Sequence, residues 1–300
     1  MERPFWPALA LGLTITATAV AQQGPVQIFG LVELSGTGTT SGTNFDNGVK
    51  LAVKEINASG GILGRKVEYT SLDTQSQPQV AKALAQKAID QGAYVVMGPV
   101  FSGSILVSMA ETRRAEVPNF TGGEASAITK QGNPYIFRTS FTQDTAMPKV
   151  ARYLKDTVKA KSVAIIWVNN DFGKGGLDTM KKALDAQGVK VSAEISTDPG
   201  QLDFSGAVLK AKQANADALF VYTNEEESAR ALRELRKQGY DKPIVGETVL
   251  TSQKVIELAG DAANGATAHV GLTADPRSRP SRSTTRPFRR NSTRSPTTTG

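Results

Sequence analysis

The stretch YVVMGPVFSGSILVSMAE, residues 94–111, reads as a strand, a turn and a helix in direct succession. The apolar run ends at Met97, Gly98 and Pro99 turn the chain, and a helical pattern starts around Ser102. The first N–H groups of a helix lack intrahelical partners and lie at the positive end of its dipole. This position therefore suits a carboxylate, with a serine hydroxyl as a further donor. The alternative is that Ser102 is an ordinary helix N-cap.

The same alternation of short apolar strands and amphipathic helices continues on both sides of this stretch. VQIFGLVEL at 26–34 precedes the helical pattern of 44–61, and the series starts again after 133–140 with strands such as SVAIIWV at 162–168. Short apolar strands separated by helices predict parallel sheets covered on both faces. We therefore predict an α/β fold with two doubly wound parallel-sheet lobes and a ligand cleft between them.

Residue composition argues against several kinds of catalytic chemistry. The chain has no cysteine and one histidine, His269, in the alternating stretch 265–272, where a plain strand histidine is expected. GTGTTSG at 36–42 lacks the third glycine of a dinucleotide fingerprint, so we expect a loop there. No catalytic triad, metal set or nucleotide loop is present. We predict no catalytic residues, no metal and no cofactor, and an enzyme is the third-ranked alternative.

The two ends of the chain differ from its body. Residues 1–21 have the pattern of a signal peptide cleaved after Ala21, which predicts export to the periplasm. The segment from Arg277 to Arg294 contains seven arginines, counting both ends, and no acidic residue, and without these arginines the chain is formally neutral. Because the basic excess belongs to the tail and not to a binding face, no nucleic-acid partner is predicted. The segment 276–300 is expected to be disordered, either as a true basic arm or as the product of a frameshift.

Several blocks, in order along the chain, resemble one known family. NGVKLAVKEINASGGILGRKVEY at 47–69, YVVMGPVFSGS at 94–104, SVAIIWVNNDFGKGG at 162–176 and VIELAGDAANGA at 255–266 resemble the type I periplasmic solute-binding proteins of ABC transporters, in particular the leucine/isoleucine/valine-binding group. The resemblance implies a protein that closes on an amino acid and delivers it to an inner-membrane permease.

The alternation of strands and helices, which restarts near residue 140, and the resemblance together predict a domain organisation. The first lobe would cover 22–140 and the second 141–268, and 269–275 would begin the return to the first lobe. Because the resemblance stops at about Asp275, the first lobe would be incomplete, through truncation or a frameshift. Uncovered sheet edges would then make the chain weakly stable.

In the first lobe the resemblance implies two ligand-binding segments. Ser102, Gly103 and Ser104 match the segment that holds the ligand carboxylate. Residues 122–124 match a loop that holds both the carboxylate and the α-ammonium group, through the backbone of Gly122 and Gly123 and the side chain of Glu124. The alternative for Glu124 is an acid that stabilises the start of the helix at 126–129.

In the second lobe the resemblance implies that Phe172 is an aromatic residue that flanks the ligand. It also implies a contact from Asn224 or Glu225. Glu247 or Thr248 matches the position of the ammonium-binding acid. Three departures from the family pattern concern the first lobe, and one of them is Glu124, which stands where many relatives have threonine. Ser41 stands where some relatives have an aromatic wall, and Ser76 and Phe101 replace a cysteine pair found in others.

The sequence therefore predicts a periplasmic substrate-binding component of an ABC transporter. We expect a monomer whose ligand is an amino acid, a branched-chain one first. Two alternatives stay open. One is a ligand sensor of the same fold that feeds a receptor or regulator, and the other is binding of an aromatic or other small carboxylate or amide.

Overall fold

The computed structural model describes residues 24–271. The predicted signal peptide and the arginine-rich tail lie outside the described residues. The chain forms two compact units. Within the described residues, unit 1 contains 24–143 together with Val168–Asp178 and Thr197–Gln201, and unit 2 contains Asp144–Trp167, Thr179–Ser196 and 202–271.

Five strands form the first sheet: β1 (Val26–Val32), β2 (Val67–Asp73), β3 (Val95–Met97), β4 (Asn119–Thr121) and β5 (Ile136–Arg138). Their order in space is β2-β1-β3-β4-β5, and all four neighbouring pairs are parallel. Because β1 has β2 on one side and β3 on the other, the strand order reverses between β1 and β3. Ligands of open parallel sheets bind at such a reversal, beyond the carboxyl ends of the strands.

Three helices connect the first strands: α1 (Thr39–Ala58), α2 (Pro78–Asp90) and α3 (Ser102–Arg114). On α2, the buried alanines 81, 85 and 88 recur at helical spacing. Ala85 and Ala88 join Phe29, Leu31 and Val96 of the sheet in one apolar cluster. Small side chains on this face allow the helix to pack closely on the strands.

The loop predicted over residues 36–42 is wrong in its second half, because α1 already begins at Thr39. Glycine and threonine favour helix only weakly, so the local sequence gives little sign of this first turn. A tertiary contact explains it: a Cβ on Gly42 would lie 2.2 Å from the carbonyl oxygen of Glu33. The missing side chain lets the first turn of α1 rest directly on the end of β1. Ser41 lies in this turn and is half-buried.

The second sheet also has five strands: β6 (Ser162–Val168), β7 (Lys190–Thr197), β8 (Ala218–Tyr222), β9 (Ile244–Gly246) and β10 (Thr267–Ala268). Their order is β10-β9-β8-β6-β7, and β6–β8, β8–β9 and β9–β10 are parallel pairs. The strand order reverses between β6 and β8. All five residues of β8 are buried, which agrees with a strand covered on both faces.

The remaining helices are α4 (Gln143–Asp156), α5 (Asp171–Ala186), α6 (Ser205–Gln213), α7 (Glu225–Lys237) and α8 (Gln253–Ala259). A single large cluster joins α6, α7 and α8 to the strands β6, β8 and β9 through buried aliphatic residues. Within 24–271, none of the helices is long and apolar enough to span a bilayer. Two parallel sheets with connecting helices confirm the predicted α/β class.

Candidate ligand-binding site

The residues predicted to contact a ligand follow the carboxyl ends of strands in both sheets. In the first sheet, Ser102 begins α3 after β3, and Glu124 follows β4. In the second sheet, Asn224 follows β8 and Glu247 follows β9. Each of these strands lies at the strand-order reversal or next to the strand that does. An open parallel sheet presents its ligand-binding groups at this edge.

The first turn of α3 carries two buried hydroxyl groups. Phe101 is the N-cap and Ser102 the first helical residue, so Ser102 is not the ordinary N-cap of the alternative interpretation. The Oγ of Ser102 accepts a hydrogen bond from the Ala125 N–H at 3.3 Å. Ser104 is fully buried, and its Oγ has no hydrogen-bond partner among the described residues. A buried polar atom of this kind calls for an explanation, and a ligand is one.

The segment after β6 belongs to unit 1, although the resemblance implies that Phe172 approaches a ligand from the second lobe. The carbonyl oxygen of Phe172 accepts a hydrogen bond from Nε2 of Gln143 at 2.8 Å. A Cβ on Gly103 would lie 2.7 Å from Oδ2 of Asp171. The absence of a side chain at Gly103 thus permits Asp171 to lie close to the first turn of α3.

Glu33 is a buried acid that the sequence alone did not indicate, and it lies where the strand order reverses between β1 and β3. It is fully buried just after β1, and its carboxylate accepts the N–H groups of Val100 at 3.2 Å and Phe101 at 3.0 Å. Burial raises the pKa of Glu33 above its ordinary value, although these two backbone hydrogen bonds act against the rise. An acid at the end of an otherwise apolar strand was the available signal. Glu33 holds the turn that leads into α3.

A second acid shapes the loop after β1. Asp73, at the end of β2, accepts the N–H groups of Leu34 at 3.0 Å and Ser35 at 3.1 Å through the same oxygen. The Oγ of Ser35 donates to the other carboxylate oxygen at 2.6 Å. Burial acts to raise the pKa of Asp73, but these bonds and one from the Gln75 N–H hold it below its ordinary value. Asp73 therefore fixes this loop as a carboxylate.

Ser76 and Phe101, which replace the cysteine pair of some relatives, both contact the segment around Gly38. The Ser76 hydroxyl donates to the carbonyl oxygen of Ser35 at 2.6 Å and accepts the Gly38 N–H at 2.9 Å. A Cβ on Gly38 would lie 2.7 Å from the Phe101 ring. Hydrogen bonding and ring packing hold this loop in place.

The loop at residues 122–124 packs against α3. A Cβ on Gly123 would lie 2.3 Å from Cδ1 of Ile105, so only glycine fits there without displacement. The Gly123 carbonyl accepts hydrogen bonds from Arg138 and from the Ser140 hydroxyl. Gly122 donates its N–H to the Pro99 carbonyl at 3.2 Å. Together with the bond between Ser102 and Ala125, these contacts bring the two predicted ligand-binding segments of unit 1 together.

The side chain of Glu124 is half-buried. The backbone carbonyl oxygen of Glu124 accepts a hydrogen bond from the Gln143 N–H at 3.1 Å, and this bond connects the loop to the start of α4. The alternative interpretation has Glu124 stabilise the start of the following helix. That helix is a short 3₁₀ helix, Ser126–Thr129, which begins two residues after Glu124. Both interpretations of the Glu124 side chain are compatible with this position.

In unit 2, Asn224 and Glu225 form the start of α7. Asn224 is the N-cap, and its backbone N–H donates to Oε2 of Glu227 at 2.8 Å, as in a capping box. Asn224 and Glu225 are both 5% exposed. The Nδ2 of Asn224 has no hydrogen-bond partner among the described residues. Asn224 thus performs a capping role with its backbone and still offers a buried donor.

Glu247 is the most enclosed of the predicted ligand-binding acids, at 1% exposure. Its Oε1 accepts the Thr248 hydroxyl at 2.7 Å and lies 3.4 Å from Nδ1 of His269. Its Oε2 has no hydrogen-bond partner among the described residues. Burial raises the pKa of Glu247, and the contacts with Thr248 and His269 only partly oppose this rise. A cation at Oε2 would compensate the buried negative charge.

Known proteins of similar sequence and fold identify the family of this chain. The sequence model of the family described as "Periplasmic binding protein" matches residues 25–299. The Leu/Ile/Val-binding protein BraC3 of Rhizobium johnstonii is 30% identical over 260 residues, which cover 84% of this chain and 71% of that protein. The chain spans 59% of the length of another curated relative, the leucine-, isoleucine-, valine-, threonine-, and alanine-binding protein of Pseudomonas aeruginosa, to which it is 26% identical.

Two solved structures have the same fold. The branched-chain amino acid transporter substrate-binding protein LivJ of Streptococcus pneumoniae, in complex with isoleucine, has a TM-score of 0.73 and 28% identity, covering 79% of this chain and 68% of that one. A solute-binding protein of an ABC transporter from Rhodopseudomonas palustris BisB5, in complex with 3,4-dihydroxybenzoic acid, has a TM-score of 0.72 and 25% identity, covering 79% and 66%. By fold and by sequence, the chain belongs to the periplasmic binding protein family, within its branched-chain amino acid group.

Proposed function

We propose that the chain is the substrate-binding component of an ABC transporter and that it binds an amino acid, a branched-chain one first, for delivery to an inner-membrane permease. The observation that carries this proposal is the carboxylate of Glu247, which is buried and keeps one oxygen free of partners within the described chain. An ammonium group is the ligand cation that such an oxygen suits.

Groups suited to the other end of an amino acid lie in unit 1. The start of α3 offers backbone N–H groups and the hydroxyls of Ser102 and Ser104. We propose that these hold the ligand carboxylate, with the backbone of Gly122 and Gly123 and the side chain of Glu124. Charge-assisted hydrogen bonds contribute about 1.5–3 kcal/mol each. A few of them support an affinity near 1 µM, about −8 kcal/mol.

For the remaining predicted contacts, we propose that Phe172, Ser41 and either Asn224 or Glu225 line the ligand. We also propose that the two lobes that supply these contacts cover residues 22–140 and 141–268. We also propose that the chain acts in the periplasm, as a monomer and without catalytic chemistry. Recovery of unmodified L-isoleucine by mass spectrometry after long incubation would support the last point, and a new product would refute it.

Titration calorimetry tests the ligand class directly. The purified chain is titrated with L-leucine, L-isoleucine, L-valine and 3,4-dihydroxybenzoate. The second candidate, an aromatic acid, is favoured by the Rhodopseudomonas relative at 25% identity. It lacks an ammonium group and would leave Glu247 unpaired. Binding of 3,4-dihydroxybenzoate without binding of any of the three amino acids would overturn our proposal in favour of this candidate.

Two variants with matched controls test the site. Ser102→Ala removes a hydroxyl at the start of α3, and Ser252→Ala makes the same change at the N-cap of α8, where Ser252 accepts the Val255 N–H. Glu247→Gln neutralises the proposed ammonium acceptor, and Glu111→Gln neutralises another buried acid, which pairs with Lys82. Only Ser102→Ala and Glu247→Gln are expected to weaken binding, by roughly tenfold or more. Equal losses in the controls would contradict the assignment.

Delivery to a permease is tested in cells. Uptake of radiolabelled L-leucine should fall when the gene is deleted and return when it is restored. If uptake is unchanged while the purified chain still binds L-leucine, the sensor alternative is favoured over transport.

A further inference from the structure

We propose that His269 is a positioning residue for ligand binding: with Thr248 it holds one carboxylate oxygen of Glu247, so that the other oxygen accepts the ammonium group of the ligand. This inference rests on the proposed function. It gives the single histidine of the chain a role that differs from the plain strand histidine expected from the sequence.

The sheet itself brings His269 to Glu247. In the parallel pair of β9 and β10, Thr267 lies opposite Val245 and Ala268 opposite Gly246. Continuing this register by one residue places His269 beside Glu247. A hydrogen bond from the His269 N–H to the Gly246 carbonyl, at 3.2 Å, extends the pairing to this point. The location of the ring is therefore set by backbone pairing.

The contacts divide the two oxygens of Glu247 between different tasks. Oε1 lies 2.7 Å from the Thr248 hydroxyl and 3.4 Å from Nδ1 of His269. Oε2 is buried and has no partner within 24–271. A carboxylate bound at one oxygen by two neighbours cannot rotate freely, so its second oxygen keeps a fixed direction. Hydrogen bonds from neighbouring side chains are a general means of orienting a binding group.

Enclosure strengthens the effect of this arrangement. The side chain of Glu247 is 1% exposed and that of His269 is 14% exposed. His269 is also a titratable group that acts on the pKa of Glu247, in opposition to the effect of burial. Electrostatic interactions are less screened at a buried position than at the surface, so small changes in the direction of Oε2 would alter ammonium binding.

The experiment compares two ligands that differ at one group. L-isoleucine carries an ammonium group, and 2-hydroxy-3-methylpentanoate carries a hydroxyl in its place. We expect His269→Ala to weaken binding of L-isoleucine about five- to tenfold and to change binding of the hydroxy acid by less than about twofold. Val270→Ala, next in the chain and exposed, is the control and should change neither.

Two further variants separate positioning from a structural role. Asparagine can place an amide N–H near the location of Nδ1, so His269→Asn should restore most of the lost affinity. In a Glu247→Gln background, His269→Ala should cause no further loss, because the carboxylate that it orients is gone. Equal and additive losses for both ligands would show that His269 acts only through folding and would overturn the inference.

The single imidazole provides a readout that does not depend on amino-acid binding. In protein prepared without a histidine tag, its Cε1–H NMR signal should differ between the wild-type chain and Glu247→Gln. It should also shift on addition of millimolar methylammonium chloride, but not in Glu247→Gln. If L-isoleucine does not bind and methylammonium still shifts the signal, the proposed function fails and the positioning role stands. If the signal is the same in both proteins and insensitive to methylammonium, the inference is refuted.

Discussion

Substitution of Gly123 by alanine is a direct test of how the loop at 122–124 packs on α3. The Cβ of the variant would lie 2.3 Å from Cδ1 of Ile105, 3.0 Å from Cδ1 of Ile128 and 3.0 Å from the Val100 carbonyl oxygen. Both isoleucines are fully buried, so neither can turn its methyl group into solvent. The backbone of Gly123 is not in the left-handed region, so the effect of the substitution is steric.

The magnitude follows from the cost of overpacking a core. An added methyl group with no room costs about 1–3 kcal/mol. For a chain of this size each kcal/mol lowers the melting temperature by about 2–4 °C, so we expect a decrease of about 2–12 °C. Ile105→Val removes the clashing Cδ1 and by itself costs about 0.5–1.5 kcal/mol.

Thermal and urea unfolding of the single variants and the double variant form a double-mutant cycle. Gly123→Ala combined with Ile105→Val should be less destabilised than the sum of the two by about 1 kcal/mol, because the closest contact is relieved. The contacts with Ile128 and the Val100 carbonyl stay tight, so the rescue is partial. The transition of the affected unit should be followed, since two units need not unfold together.

The matched control is Gly48→Ala in the interior of α1, where a Cβ would have no neighbour within 4 Å. There the same chemical change should stabilise the chain by about 0.5–1 kcal/mol through better helix propensity. A melting temperature of Gly123→Ala at or above that of the wild type would refute the packing argument. So would strictly additive effects in the cycle.

Three further predictions concern other parts of the chain. Ser104→Ala removes a buried hydroxyl without a partner in the described chain. It should increase the free energy of unfolding by up to about 1 kcal/mol, which raises the melting temperature slightly. It should also weaken ligand binding in calorimetry, and unchanged binding would show that Ser104 does not belong to the site. Asp73 contributes stability that is present above its unfolded pKa, near pH 4, and is lost as the pH falls through its lowered folded pKa. Asp73→Asn should therefore flatten the acid side of the stability profile, and an unchanged profile would contradict this. Leu154→Ala in the core of unit 2, fully buried, should cost about 2–5 kcal/mol in urea unfolding, and a loss below 1 kcal/mol would contradict the packing of α4.

Much of the fold could be predicted because the strong signals are local. The uncharged apolar runs at 162–168 and 218–222 became β6 and β8, which lie in the middle of the second sheet. The first turn of α1 was missed because its helical state depends on the contact between Gly42 and the backbone of Glu33. That contact depends on the tertiary fold, so the local sequence pattern does not predict it.

The candidate site divides in the same way. The position of Ser102 after a strand end follows from the alternation of strands and helices, and Asn224 was implied by the family resemblance. The tasks of Glu33 and His269 do not, because each depends on a partner reached through strand pairing or a turn: Phe101 lies 68 residues from Glu33 and His269 lies 22 residues from Glu247.

By itself, the amino-acid sequence determined the α/β class, the order of the elements and the family, because hydrophobic periodicity and short blocks are properties of the chain alone. Only the tertiary structure decided which polar groups are buried and which of their atoms have no hydrogen-bond partner within the described chain. Glu247 shows the reason: its sequence position marks an acid after a strand, but burial, Thr248 and His269 leave one of its oxygens without a partner in the described chain. Burial and hydrogen-bond satisfaction are set by residues brought together in space, which a linear pattern does not contain.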